Sequence, residues 1–177
     1  MNEHSVIIVV PIYREFTETE AQSFCQLKKV LGHYPIDLLH PKSLSVTSIK
    51  EQLANATDTG LDDNYFADRM TYSDLLLTPD FYRMYSDYDY MLIYQLDAWV
   101  FRDELQYWVD KNYDYIGAPW VPRDYIYKRY IIYPLVKIYS HFCHNLLYIP
   151  HRGINFHVGN GGFSLRKIST MTLIPQH

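Results

Sequence analysis

A chain of 177 residues, 48% hydrophobic and 20% charged, is long enough for one domain with its own buried core. A formal net charge of −4 argues against a nucleic-acid binder, which needs a basic stripe to displace counterions. No stretch approaches the roughly 20 apolar residues of a membrane-spanning helix, and no charged-then-apolar leader opens the chain. Two cysteines, Cys25 and Cys143, make no disulfide framework, so a cytoplasmic protein in a reducing compartment is expected. The 18 tyrosines combine an apolar ring with a polar tip, which suits sugar faces, nucleobases and half-wet interfaces as well as ordinary packing.

In chain order, Val6 to Val10 is a continuous β-branched run, the pattern of a strand covered on both faces. Pro11 ends it and Tyr13-Arg14-Glu15 forms a loop. Thr17 and Glu20 have capping-box spacing and open a helix whose inner face is expected at Ala21, Phe24, Cys25, Lys28 and Leu31, with Gly32 as its stop. Ile36 to Leu39 reads as the next strand. Ser45 is expected to cap a short helix with Val46, Ile49 and Leu53 inward. The segment 55–63 reads as a polar turn. Thr78-Pro79-Asp80 is a helix start, followed by Phe81, Met84, Tyr85 and Tyr88 at helical spacing. Tyr90 to Leu96 is another fully buried strand, stopping at Asp97. Asp103-Glu104 open a helix with Leu105, Trp108 and Val109 inward, and Tyr113 to Gly117 is a further strand. Residues 121–157 break the rhythm and read as an irregular insertion with some helix, over 130–147. This alternation predicts a mainly parallel α/β sheet flanked by helices, in a single domain spanning 1–177.

Ligands of parallel α/β sheets bind beyond the C-terminal ends of the strands, where loops are free to carry polar groups. Three such ends carry chemistry here. Tyr13 and Arg14 after the first strand suit a nucleotide's base and phosphate, or form a plain surface loop. Asp97 puts a carboxylate at the mouth of the sheet, suited either to a divalent cation bridging to a diphosphate or to capping the next helix. Gly159-Asn160-Gly161-Gly162 lets backbone approach a bulky ligand, or is a glycine bulge without one.

The stretches Ile93 to Ala98, Tyr113 to Trp120 and Gly159 to Arg166, with the opening Val10 to Glu15, resemble the DUF5672 family. The resemblance implies a glycosyltransferase-like protein with the Rossmann-like GT-A type of α/β fold. It implies transfer of a sugar from a nucleotide-diphosphate donor, UDP- or GDP-linked, to a saccharide or glycolipid acceptor, as in surface polysaccharide synthesis. Pro11, Tyr13, Arg14, Gln95 and Asp97 would then hold the donor nucleotide. Trp120, Gly159, Asn160, Gly161 and Gly162 would flank sugar and acceptor, and Asp97 would hold Mn²⁺ or Mg²⁺. The sequence departs from the Asp-x-Asp metal motif of GT-A enzymes, since Trp99 stands at the second position and Gln95 two residues before Asp97. It also stops soon after Arg166, where such relatives continue, so a C-terminal truncation is expected. No catalytic residue is assigned. These departures favour the alternative, a catalytically inactive nucleotide- or carbohydrate-binding domain.

Other groupings carry less. His141, Cys143, His144, His151 and His157 match no closed zinc spacing. Arg123, Lys128, Arg129 and Lys137, interleaved with tyrosines, form either a solvated insertion or a face for anionic acceptors, compatible with peripheral membrane contact. Asp62-Asp63 suits a ribose or a plain turn. No nucleophile elbow, P-loop or dinucleotide fingerprint is present.

Overall fold

The computed structural model describes residues 4–119 and 158–173. Six strands form one sheet: β1 (Val6–Pro11), β2 (Ile36–Pro41), β3 (Ala56–Leu61), β4 (Tyr90–Tyr94), β5 (Tyr115–Pro119) and β6 (Val158–Lys167), in the spatial order β3-β2-β1-β4-β6-β5. β1 pairs in parallel with β2 and β4, and β2 with β3, while β6 runs antiparallel to β4 with Tyr94 opposite Phe163. The α/β architecture and mostly parallel sheet are those expected. The chain divides into two compact units, residues 1–117 with 161–177, and residues 118–160. The expected insertion, its helix, Trp120, the histidine-cysteine grouping and the basic cluster lie outside the described residues.

Alternation along β1 divides the core between two faces. Val6, Ile8 and Val10 join Phe24, Leu27 and Leu31 of α1 (Glu18–Leu31) and Leu105 and Val109 of α5 (Leu105–Val109). Ile7 and Val9 pack on the other side with Leu75 of α3 (Arg69–Leu75), Phe81 and Tyr82 of α4 (Pro79–Arg83), and Ile168 of α6 (Ile168–Met171). Every residue of β1, β2 and β4 is buried, as helices on both faces of a parallel sheet require.

Several local expectations are corrected. The inner face of α1 is Ser23, Phe24, Leu27 and Leu31, with Cys25 and Lys28 in solvent. The short helix α2 (Thr47–Lys50) has Val46, not Ser45, at its N-cap. Residues 56–61 are an edge strand, β3, where a turn was expected, because pairing to β2 outweighs their polar character. Trp108 and Met84 are exposed. The glycines of 159–162 lie within the extended β6, and no described glycine has a positive φ, so they form neither a turn nor a bulge of the left-handed kind.

Candidate functional site

The C-terminal ends of β1 and β4 open into a cleft of about 280 Å³. It is lined by Pro11, Ile12, Tyr13, Arg14, Phe16, Glu20, Gln95, Leu96 and Asp97. All five residues expected on the donor side, Pro11, Tyr13, Arg14, Gln95 and Asp97, therefore come together, from two strand ends more than 80 positions apart in sequence.

The loop bearing Asp97 is held from beneath. Tyr94 ends β4 with its hydroxyl 3.2 Å from Ser23 Oγ, and it accepts the Val100 amide at 3.2 Å. Ser23 Oγ donates to the Ala98 carbonyl at 2.6 Å, and Gln26 Nε2 to the Val100 carbonyl at 2.8 Å. One face of α1 thus fixes residues 98–100, while the Asp97 carboxylate stays exposed, with no hydrogen bond or ion pair among the described residues. It does not cap the following helix: the N-cap of α5 is Glu104.

Arg14 is less free than the sequence suggested. Its guanidinium forks onto Glu20, at 2.8 and 2.9 Å, and lies 5.5 Å from the centre of the Tyr13 ring. Glu20 also accepts the Thr17 amide and hydroxyl, each at 2.8 Å, closing the capping box of α1. Burial pushes the Glu20 carboxyl up, but the Thr17 and Arg14 donors outweigh it and leave it below the usual glutamate range. The cleft therefore contains one engaged carboxylate and one open one.

At the neighbouring strand, the Gln95 amide donates to the Gly162 carbonyl at 2.7 Å, so Gly162 of β6 adjoins the cleft-lining Gln95. Gly159 and Asn160 belong to the backbone of β6 in the second unit. Asp62 caps a short 3-10 turn (Asp63–Phe66), and Asp63 accepts the Ser43 amide at 3.2 Å, which makes that pair a structural turn.

Sequence reasoning missed Glu20 as a wall of the cleft, Ser23 and Gln26 as supports of the Asp97 loop, and Arg166. Glu20 was visible only as a capping residue. Ser23 and Gln26 share a helical face at a spacing of three, a signal that says they neighbour each other but not what they touch. Among the described residues no group of three or more His, Cys, Asp or Glu side chains gathers as a ready-made metal cage. The lone carboxylate of Asp97 still fits a hard cation of the Mg²⁺ kind, which takes one or two protein carboxylates and completes its shell with substrate phosphates and water.

No curated protein matches the chain. The family described as "Protein of unknown function (DUF5672)" matches residues 57–177, which takes in Gln95, Asp97 and Gly159 to Gly162 but leaves Pro11, Tyr13 and Arg14 outside. With some two thirds of its length matched, the chain belongs to the DUF5672 family.

Proposed function

We propose that the cleft binds a nucleotide-diphosphate sugar, UDP- or GDP-linked, and that the protein is a glycosyltransferase of the GT-A type acting on a saccharide or glycolipid acceptor. The observation that carries this reading is the open Asp97 carboxylate, held on a braced loop in a cleft shared with Tyr13, Arg14 and Gln95 at the C-terminal ends of two parallel strands. The Tyr13 ring, about half exposed, offers a flat face to a base. The outward side of the Arg14 guanidinium offers further donors to phosphate oxygens. Asp97 would hold Mn²⁺ or Mg²⁺ between itself and the diphosphate, and such an ion supplies charge neutralisation for the departing nucleotide. Sugar transfer passes through an oxocarbenium-like state, so steadying the leaving group is the main electrostatic task, and Asp97, Arg14 and Gln95 line the place for it.

Hydrolysis of UDP- and GDP-sugars with added Mn²⁺ tests the reading. The wild-type chain is expected to turn over at least one donor, and Asp97→Ala to lose about a hundredfold or more of that rate. Turnover unaffected by Asp97→Ala would refute it. The second reading, a binding domain without turnover, draws on the side chain at position 99, an exposed tryptophan where a second carboxylate would strengthen the metal site. Binding of UDP or GDP with no hydrolysis under any metal condition would select it.

A further inference from the structure

Arg166 lies in the interior, with only 6% of its surface exposed, yet no carboxylate faces it among the described residues. Its neighbours are neutral acceptors. Nε donates to Ser164 Oγ at 3.0 Å, Nη1 to the Tyr82 hydroxyl and to the Leu76 carbonyl at 3.4 Å, and Nη2 to the Gly161 carbonyl at 3.3 Å, with the Tyr115 ring 5.5 Å away. A guanidinium has five N–H donors, so these contacts leave one Nη2 donor without a partner, and the positive charge is met by the Tyr115 ring but by no anion among the described residues. An uncompensated buried charge is costly, and such groups are ordinarily paired.

Two further observations show where the missing partner would sit. A Cβ built on Gly161 would lie 3.2 Å from Arg166 Nη2, with no other described atom of a non-adjacent residue within 4 Å, so the absent side chain leaves a cradle beside that donor. The Tyr72 hydroxyl is buried and makes no well-formed hydrogen bond among the described residues, although the Gln95 side chain is close enough to act on it. Tyr72 stands one helical turn before Leu76, whose amide bonds the Tyr72 carbonyl and whose own carbonyl takes Arg166 Nη1, so the phenol and the guanidinium share one side of α3; burial pushes that phenol up. Gln95 lines the cleft and its amide holds Gly162, so the cradle adjoins the site already described.

We propose that Arg166 and Tyr72, opened by Gly161, form an inner subsite that takes one anionic oxygen group of the bound ligand, a phosphate of the diphosphate or a carboxylate of an acidic sugar. The Nη2 donor and the phenol hydroxyl each give a hydrogen bond to that group, and the guanidinium supplies its counter-charge without a metal ion. The proposal rests on the transfer reading only for the identity of the larger ligand; the subsite itself stands on its own atoms.

Calorimetric titration of the full chain in the presence of a chelator, with inorganic pyrophosphate, glucuronate and UDP as separate probes, tests it. Saturable binding of pyrophosphate or of glucuronate is expected, the tighter of the two naming the source. Gly161→Ala, which fills the cradle, and Tyr72→Phe, which keeps the ring and removes one donor, are each expected to weaken that binding about tenfold. Tyr72→Phe is expected to melt with the wild type, which separates lost binding from lost fold. No binding of either small anion, or binding that both variants leave within about twofold, overturns the subsite. UDP bound equally by wild type and both variants, with glucuronate binding absent or equally unaffected, removes the subsite and leaves the transfer reading standing. Pyrophosphate bound as tightly as UDP, and weakened by both variants, keeps the subsite and removes the nucleotide.

Discussion

Glu20 serves three groups at once: the amide and hydroxyl of Thr17 and the fork of Arg14. Its two jobs make opposite predictions. Thr17→Ala removes the cap of α1 and is expected to lower the unfolding free energy by about 1 kcal/mol, read from denaturant melts. Glu20→Gln keeps much of the cap but leaves Arg14 without its counter-charge, so UDP affinity is expected to rise about two- to fivefold while stability falls; an unchanged affinity would show that Arg14 does not face the ligand. The sign with pH follows from the same contacts. The folded-state Glu20 carboxyl titrates below its ordinary value of 4.5, so its contribution is fully present above that value and is lost as pH falls through the lower folded one. Asp89, held down chiefly by the Ser5 amide, and Asp58, held down chiefly by Lys50, act in the same direction. Melting temperature is therefore expected to begin falling below about pH 4.5, where Glu20 titrates, and to fall further below 3.8, the ordinary value of Asp58 and Asp89, whose exposure keeps their share small. The capping role of Glu20 was legible as a Thr-x-x-Glu spacing. Its place in the cleft was not, because the fold brings Gln95 and Asp97 to it across the sheet.

At the scale of elements, local chemistry was legible where one signal dominated. The β-branched run of β1, the apolar run of β4, the capping box of α1 and the proline at the first position of α4 each have a single reading. Edge and exposed elements were not. β3 carries Thr57, Asp58 and Thr59 on a half-exposed strand, and only pairing with β2 decides its conformation. The sequence of α1 fits two stripes, because Cys25 and Lys28 share spacing with Phe24 and Leu31, whereas the buried stripe runs through Leu27. Leu27 is fully buried between α1 and the sheet, so Leu27→Ala is expected to cost about 2–5 kcal/mol in denaturant unfolding, and Cys25→Ala well under about 1 kcal/mol. Equal costs would place the wrong face of α1 against β1.

For the molecule as a whole, the sheet collects at one end what the sequence disperses. Strand ends at Pro11 and Tyr94 bring Tyr13, Arg14, Gln95 and Asp97 into one cleft, and the antiparallel β6 brings Arg166 and Gly161 up beside it. The carboxylate at the strand end was legible because a buried apolar run stopped on it. The sequence assigns Arg166 no role beyond its place in the Gly159 to Arg166 stretch, and only the packing of α3, α4 and β6 reveals its burial. The most direct test is a titration of UDP and GDP into the wild-type chain and Asp97→Ala, each with and without Mn²⁺. One nucleoside diphosphate is expected to bind, more tightly with Mn²⁺, with the metal-dependent gain lost in Asp97→Ala. Failure of both nucleotides to bind under either condition would contradict the account.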